Sequence, residues 1–320
     1  MIDHSPSDLG RISKKLDGVA ESATLKLNAL LVSLRAQGKD VINLTAGEPD
    51  FPPDPEAKAA MIAAIYANQS KYTPVAGIPE LRQAIAKKTC LQQPALSSPW
   101  TASHVVVTNG GKQAIFNFFL AVLDPGDEVL IPSPYWLSYP DMTRIAGGTP
   151  KFLRTTLEAG FKLSPDALAK ALTDRTRVFV LNSPSNPAGI TYTKGELRAL
   201  GAVLRTHPRG KDVWILTDEI YDAIVFKPAM GFTSFLDACP DLQNQTVTVN
   251  GMSKSGAMTG WRVGWSVAPT PLTQAMSMIQ GQSTSGINWP AQRAALASLA
   301  LPAKNLEDRC AIYNHRRDLA

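Results

Sequence analysis

The sequence predicts an α/β fold in which a mainly parallel sheet is covered by helices on both faces. Short β-branched runs alternate with helical patterns along most of the chain, and turn signals such as Asp124-Pro125-Gly126-Asp127 separate them. Hydrophobic residues make up 44% and charged residues 18% of the 320 residues. This length and balance are sufficient for one large globular domain with a full core, or for a large domain with a smaller one beside it.

The predicted elements follow one another in the order that such a fold requires. A helix over 24–37, ended by Gly38, precedes the first unit of the sheet. The predicted strands are 104–108, 128–132, 178–182, 213–217 and 246–249. The predicted helices that separate or follow them are 112–123, 165–171, 194–205, 291–301 and 305–319. Because open α/β sheets bind ligands at the carboxyl ends of their strands, we expect the functional residues there.

Composition and charge limit the kinds of ligand and macromolecular partner that we expect. The chain has 32 basic and 27 acidic residues, a net charge of +5 without a basic block, so we expect small anionic ligands and no nucleic acid. No apolar run reaches the roughly 18 residues of a membrane helix, and residues 1–10 lack a secretory signal pattern, so we expect no membrane contact and a cytoplasmic location. Cys90, Cys239 and Cys310 are isolated, which supports neither a disulfide framework nor a metal site.

A strand, a Gly-Gly turn and a helix follow one another in VVVTNGGKQAIFNFF, at 105–119. Glycine lets the backbone approach a ligand closely, and the free N–H groups at a helix start favour an anion such as phosphate. The backbone amides of Gly111 and Lys112 are therefore candidates for an anion site. The alternative is a plain β–α connection with glycines for close packing.

A lysine among small residues, Lys254, lies in VNGMSKSGAMTGWRVGW at 249–265, and Arg262 follows eight positions later. Little bulk surrounds this lysine, so a planar ring could be attached to its amine. An amine forms an imine with a carbonyl group, and burial or a neighbouring cation lowers its pKa. Arg262 offers a fork for two phosphate oxygens. The alternative is an exposed loop lysine and an arginine in a surface ion pair.

Three further segments place polar or aromatic residues at strand ends. In WILTDEIYDAIVF, Asp218 ends an apolar strand and Tyr221 follows three residues later. A buried carboxylate there needs a cation, such as a protonated pyridine nitrogen. The alternative is that Asp218 or Glu219 caps the start of a helix. In LNSPSNPAGI, Asn186 could donate to a phenolate oxygen, although turn chemistry alone explains most of the loop. In SPYWLSYP, Trp136 could stack on a flat ring or pack in the core.

Taken together, these segments resemble the fold-type I, class I aminotransferases that use pyridoxal 5'-phosphate (PLP), and more narrowly the aspartate aminotransferase group of bacteria. The resemblance runs from Ser22 to about Leu319. Its strongest stretches are NLTAGEPDF, KYTPVAGIPELRQAI, NGGKQAIFN, SPYWLSYPDM, NSPSNPAGI, DEIYD and SKSGAMTGWRVG. It implies a three-layer α/β/α large domain over 46–295. It also implies a partial small domain, made of an N-terminal segment over 1–45 and the start of a truncated C-terminal part over 296–320.

The resemblance also implies a role for each site residue. Lys254 would hold the cofactor as a Schiff base and, once displaced by substrate, move a proton between substrate and cofactor. Asp218 would keep the pyridine nitrogen protonated. The other implied cofactor contacts are Gly111, Lys112, Trp136, Asn186, Tyr221, Ser253 and Arg262. Tyr72 matches a tyrosine that reaches the phosphate of the neighbouring subunit, so we expect a homodimer.

Amino acids and 2-oxo acids are the implied substrates. Lys112 is similar to a lysine that, in the bacterial group, meets the distal carboxylate of aspartate or glutamate, a contact that discriminates against apolar amino acids. The other implied substrate contacts are Gly47, Trp136, Asn186, Ser22 and Thr24. Relatives that also accept prephenate carry a basic residue shortly before this Ser-Ala-Thr stretch, whereas this chain has Val19, Ala20 and Glu21, which argues against prephenate.

The end of the chain bears on activity. Relatives continue beyond the stretch that resembles 315–320 into a domain that supplies an arginine to the substrate α-carboxylate, and neither Arg316 nor Arg317 matches that arginine. The leading hypothesis is transfer of the amino group of aspartate, or a similar amino acid, to a 2-oxo acid. The alternatives are a truncated, non-catalytic PLP-binding or dimer-interaction protein and a lyase that uses the same cofactor. Cofactor binding is expected to survive such a truncation better than turnover.

Overall fold

A seven-stranded sheet forms the centre of the molecule. The computed structural model describes residues 13–19, 23–43, 47–225 and 231–319. The strands are β1 (Val105–Asn109), β2 (Glu128–Ser133), β3 (Thr149–Arg154), β4 (Thr176–Asn182), β5 (Trp214–Asp218), β6 (Thr246–Gly251) and β7 (Val263–Val267). Their order across the sheet is β1-β7-β6-β5-β4-β2-β3. β7 pairs antiparallel with β1 and β6, and the other pairs are parallel, which confirms the predicted mainly parallel sheet.

The predicted strands are present with small shifts at their ends, and two strands, β3 and β7, were not predicted. β3 is an edge strand with several exposed residues, so it lacks the apolar run by which the other strands were found. β7 is fully buried but lies inside the glycine- and tryptophan-containing stretch that was interpreted as a ligand motif. A strand can therefore be missed in the sequence because its residues are exposed, or because it lies within a stretch that resembles a ligand-binding motif.

Helices precede the first strand, connect the strands and follow the last one. In the described residues they are α1 (Ala23–Ala36), α2 (Pro55–Tyr66), α3 (Pro79–Gln92), α4 (Gly111–Val122), α5 (Ser138–Ile145), α6 (Pro165–Ala171), α7 (Lys194–Thr206), α8 (Phe235–Ala238), α9 (Met252–Ser255), α10 (Thr270–Ser283), α11 (Trp289–Leu299) and α12 (Lys304–Leu319). α7 begins with a reciprocal cap, because Thr193 Oγ1 accepts from Glu196 N at 3.2 Å while the Glu196 carboxylate accepts from Thr193 N at 2.7 Å. All six predicted helices are confirmed.

Two hydrophobic cores lie on opposite faces of the sheet. Side chains alternate along a strand, so Phe179 of β4 belongs to one core and Val180 to the other. The first core is closed by α3, α7 and α11, and the second by α4, α5 and α10. Full burial of a side chain such as Phe118 or Phe119 contributes about 1.5–3 kcal/mol. The three-layer α/β/α arrangement follows from this alternation.

The last helix, α12, contacts a loop that lies next to the candidate site. α12 packs against the 47–54 loop, which it reaches through Arg309 and Arg316. In the part of the chain that the structure describes, no helix combines the length and apolar character needed to cross a membrane. The division into a large domain and parts of a small one stays a prediction.

Candidate active site

The site lies where the parallel strands end. β4 ends at Asn182, which is paired with Asp218 at the end of β5, and β6 ends at Gly251. The Asn182 side chain donates to the Asp218 backbone oxygen at 3.0 Å, which joins the two neighbouring strand ends. Lys254 follows β6 by three residues. The sheet therefore places these chain segments side by side although they are distant in sequence.

Lys254 lies in α9, a single helical turn directly after β6, and its side chain is half-buried. Its Nζ donates to Gly47 O at 2.5 Å and lies 5.6 Å from the centre of the Tyr221 ring. Burial lowers the pKa of the Lys254 amine, the charge of Arg262 acts in the same direction, and Glu48 opposes them. This amine is therefore easier to deprotonate than that of a solvated lysine.

Asp218 is a buried carboxylate with neutral hydrogen-bond donors. The Tyr139 hydroxyl donates to its Oδ2 at 2.6 Å, and Ile220 N donates to its Oδ1 at 3.2 Å. Burial raises the pKa of Asp218, and these two hydrogen bonds partly oppose the effect. A turn rather than a helix follows at 220–223, so Asp218 is not a helix N-cap. Such a carboxylate would be stabilised by a cation brought in by a ligand.

Tyr221, Asn186 and Trp136 line the same edge of the sheet. Burial raises the pKa of Tyr221 to about 12; the charge of Asp218 adds to this shift, and a hydrogen bond with Asn186 opposes it. Trp136 is half-buried and meets Tyr139 edge-to-face, with ring centres 5.3 Å apart. Lys112 Nζ lies 5.1 Å from the centre of the Trp136 ring. Burial, and then the charge of Arg262, lowers the pKa of Lys112.

The start of α4 combines an uncapped helix terminus with a neighbouring guanidinium. Gly110 precedes the helix with a φ of +84°, and no side chain caps the helix. This backbone conformation favours glycine, and a β-carbon at Gly110 would lie 2.5 Å from Nη2 of Arg262 and so displace its guanidinium. Arg262 donates to Thr259 O at 2.8 Å and to Asn109 O at 3.2 Å, so its guanidinium is held beside the helix start by backbone oxygens. Helix amides and a guanidinium together suit a phosphate.

The structure does not bring every predicted site residue to the strand ends. Tyr72 is 93% exposed on the surface of the chain. Ser22 lies outside the described residues, and Thr24 is described only as part of α1. Ser253 precedes Lys254 in α9 and is half-buried. Gly47, in contrast, is drawn to the site by its contact with Lys254.

Tyr139 is a residue that sequence reasoning missed. It lies within the quoted stretch SPYWLSYP, three positions after Trp136, in the first turn of α5. Only 1% of its surface is exposed, and its hydroxyl contacts Asp218, 79 residues away. A tyrosine three residues after an aromatic site residue was the available signal, but the partner could not be identified without the fold.

The three-layer fold is that of fold type I of the PLP-dependent transferases. The family model described as aminotransferase class I and II matches residues 39–320. The chain belongs to this family, and it is an aminotransferase.

Relatives with established names cover most of the chain. It is 48% identical to the aspartate/prephenate aminotransferase of Nitrosomonas europaea over 90% of this chain and 71% of that protein. It is 46% identical to the enzyme of the same name from Cereibacter sphaeroides, over 96% and 75% of the two chains. Among solved structures, an aspartate aminotransferase from Thermus thermophilus with maleate is 41% identical, with a TM-score of 0.89 and coverage of 96% and 78%. The enzyme from Rhizobium meliloti is 39% identical, with a TM-score of 0.90 and coverage of 97% and 76%.

Proposed function

We propose that this aminotransferase moves the amino group of aspartate, or a similar amino acid, to a 2-oxo acid with PLP held at Lys254. The observation that carries the proposal is the half-buried Lys254 amine, which has a lowered pKa and lies 5.6 Å from the Tyr221 ring at the strand ends. The relatives named above, which act on aspartate by their names, support the choice of substrate.

The residues present fit PLP. The uncapped start of α4, with Arg262 beside it, suits the phosphate, and the buried Asp218 suits a protonated pyridine nitrogen. Tyr221 and Asn186, which hydrogen-bond each other, would contact the ring oxygen, and Trp136 would stack on the ring. When bound, this cofactor supplies an electron sink for the bond that breaks at the substrate α-carbon.

The side chains of this chain then have separate tasks. Asp218 holds a proton at the ring nitrogen, because a buried carboxylate is stabilised by a neighbouring cation. Lys254 would hold the cofactor through its amine and, when that amine is free, would accept the proton from the substrate α-carbon, for which its lowered pKa is suited. Arg262 and the α4 amides hold the phosphate, so that the reacting atoms keep their orientation.

Substrate selection is proposed to depend on Lys112. Its Nζ lies over the Trp136 ring, and burial lowers the pKa of its amine, so a carboxylate that pairs with it would recover the stabilisation that water no longer supplies. The distal carboxylate of aspartate suits this position, and the Gly47 backbone would contact the same substrate. Ser22 and Thr24 are proposed to line the pocket. Prephenate is not expected as an acceptor, although the relatives from Nitrosomonas europaea and Cereibacter sphaeroides carry it in their names.

A homodimer with shared sites is also proposed. Tyr72 is 93% exposed, and α2 just before it exposes Ile62, Ile65 and Tyr66. A second copy that covers these side chains would bury apolar surface and bring its Tyr72 towards the phosphate site. The domain division at 45 and 295 and a cytoplasmic location belong to the same proposal.

One spectroscopic experiment tests the cofactor and the amino donor. The purified chain is loaded with PLP, and its absorbance is recorded before and after addition of aspartate. We expect the wild type to lose the absorbance of the aldehyde form as the amino group is transferred. The aldehyde bound to Lys254→Ala can still react with the aspartate amine, but this variant should not complete the loss because it lacks the proton carrier. Turnover by that variant should fall by about 10⁴-fold or more, since it loses both the nucleophile and the proton carrier. Lys211→Ala, at an exposed lysine, is the matched control.

Product analysis separates the remaining hypotheses. Transamination requires a 2-oxo acid acceptor and releases no ammonia, whereas a lyase releases ammonia without an acceptor. A wild-type chain that binds PLP but shows no spectral shift with aspartate or glutamate would contradict the proposal and favour a non-catalytic binding protein.

A further inference from the structure

One arginine of α12 connects three segments around Lys254. The Arg309 guanidinium donates to Ser255 O, the last residue of α9, at 3.1 Å. It also donates to Asp54 Oδ1 at 2.8 Å and to Pro52 O at 3.4 Å, both in the 47–54 loop. Its centre lies 5.9 Å from that of the Phe51 ring. The helix, the loop and the lysine-bearing turn therefore meet at this side chain.

The pair between Arg309 and Asp54 is largely buried. The exposed fractions of the two side chains are 15% and 11%, and Asn305 also donates to Asp54 Oδ1, at 3.4 Å. Asp54 occupies the N-cap position of α2, yet its side chain makes no capping hydrogen bond. The carboxylate is instead directed to Arg309. A buried charge whose partner is removed is left uncompensated, so this pair constrains the loop strongly.

The other end of the loop is also held by α9. Gly47 O accepts from Lys254 Nζ, and Lys254 is the residue directly before Ser255. The loop is thus attached to one helical turn at two places, through Gly47 and, by way of Arg309, through Asp54. We propose that Arg309 is a positioning residue that keeps the Gly47 carbonyl against the Lys254 amine and holds the 47–54 loop ready for the amino acid substrate. This role rests on the proposed function.

Arg316 provides a comparison on the same helix. It forms two hydrogen bonds of 2.9 Å with the carboxylate of Asp50, in the same loop, and its centre lies 5.6 Å from that of the Phe51 ring. Its side chain and that of Asp50 are 50% and 58% exposed. Surface pairs of this kind contribute little because water screens them. Arg316 holds no hydrogen bond to α9 in the described structure, so it serves as the matched control.

The first test measures the Lys254 amine in the cofactor-free protein. An amine-modifying reagent is applied at pH 7, and the rate of labelling at Lys254 is followed by mass spectrometry relative to the exposed Lys211. A hydrogen bond from the charged amine to Gly47 O holds the proton on nitrogen, so its loss should speed labelling. We expect Arg309→Met to raise the rate about fivefold and Arg316→Met to change it less than about twofold.

The second test separates KM from kcat in the PLP-loaded enzyme. A displaced loop weakens binding of the substrate and of the transition state alike, so Arg309→Met should raise KM for aspartate about tenfold and lower kcat less than about threefold. Arg309→Lys should recover part of the effect, because an ammonium can pair with Asp54 but cannot also fork to Ser255 O. Asp54→Asn should resemble Arg309→Met.

Equal labelling rates or equal KM values for Arg309→Met and Arg316→Met would overturn the proposal. Faster labelling of many lysines at once would also overturn it, since that indicates general loss of structure. If Arg309→Met does not fold, Arg309→Lys and Asp54→Asn make the same comparison. Failure of the wild type to transaminate would refute the proposed function, whereas the labelling comparison would still decide the role of Arg309.

Discussion

The two faces of one short segment, residues 218–222, contact different parts of the molecule. On the front face, Asp218 and Tyr221 point to the strand-end site, where they contact Tyr139 and Asn186. On the back face, Glu219 and Asp222 point away from it and contact other elements of the fold. The stretch DEIYD therefore combines two residues proposed to contact the cofactor with two residues that fasten the segment to the rest of the fold.

The back face is a buried polar network. Glu219 Oε1 accepts from Ser234 Oγ at 2.8 Å and from Phe235 N at 3.3 Å. Asp222 Oδ2 accepts from Gln92 Nε2 at 2.6 Å and pairs with Lys88, and both of these donors lie on α3. The segment is thereby fastened to α3 and α8. We expect changes on the front face to affect turnover and changes on the back face to affect stability.

The largest effect is expected for Asp218→Asn on the front face. An amide cannot hold a proton at the ring nitrogen by its charge, so kcat should fall by roughly 10²–10³-fold. Stability should change little, because the variant buries a neutral group in place of a carboxylate whose pKa is already raised. Steady-state kinetics and thermal melting give the two readings. Asp222→Asn is the back-face control, and an equal loss of kcat in both variants would erase the distinction between the faces.

Lys88→Met should give the largest stability effect on the back face. It leaves the Asp222 carboxylate, whose side chain is fully buried, without its cation, which should cost about 3 kcal/mol of unfolding free energy. Lys194→Met removes a more exposed partner from Asp237 and should cost less than about 1 kcal/mol. Urea unfolding measures both. Combining Lys88→Met with Asp222→Asn should restore part of the loss; no recovery would mean that the charge pair is not the cause.

Glu219→Gln should change how stability depends on pH. Burial raises the pKa of Glu219 to about 8, against 4.5 for an ordinary glutamate. Between these values the folded state keeps a proton that the unfolded state has lost, so the stabilisation is complete below about pH 4.5 and is lost as pH rises through about 8. The variant should remove a slope of up to about 1.4 kcal/mol per pH unit. Urea unfolding at pH 5 and pH 8 measures it, and equal slopes in both proteins would contradict the assignment.

Tyr139→Phe, which changes the partner of Asp218 on the front face, should have the smallest effect of these variants. The hydroxyl lowers the pKa of Asp218, so its removal should raise that pKa and move the acid limb of the pH–rate profile to higher pH. The loss of one hydrogen bond should lower kcat about tenfold at neutral pH. A profile that keeps its acid limb, with only a lower plateau, would show that Tyr139 does not act through Asp218.

The sequence predicted the sheet because its local patterns are strong. Apolar β-branched runs that are followed by turn residues identified the buried strands and their ends, and the chemistry of Lys254, Asp218 and Arg262 suggested one site at those ends. β3 and β7 were missed because the first is exposed at an edge and the second lies within a stretch of glycine and tryptophan. A sequence pattern indicates a strand by its buried apolar residues and by their alternation. β3 lacks the buried residues, and the residue types of β7 conceal the alternation.

Residue types and local spacing therefore determined the elements, the family resemblance and the candidate cofactor residues. The tertiary structure decided which side chains meet across long stretches of chain. Tyr139 reaches Asp218 over 79 residues, Lys88 reaches Asp222 over 134, and Arg309 reaches Asp54 over 255. Such contacts depend on how helices pack on the sheet, and burial then sets the pKa of each group. A linear pattern carries no information on either, because both are properties of the packed layers.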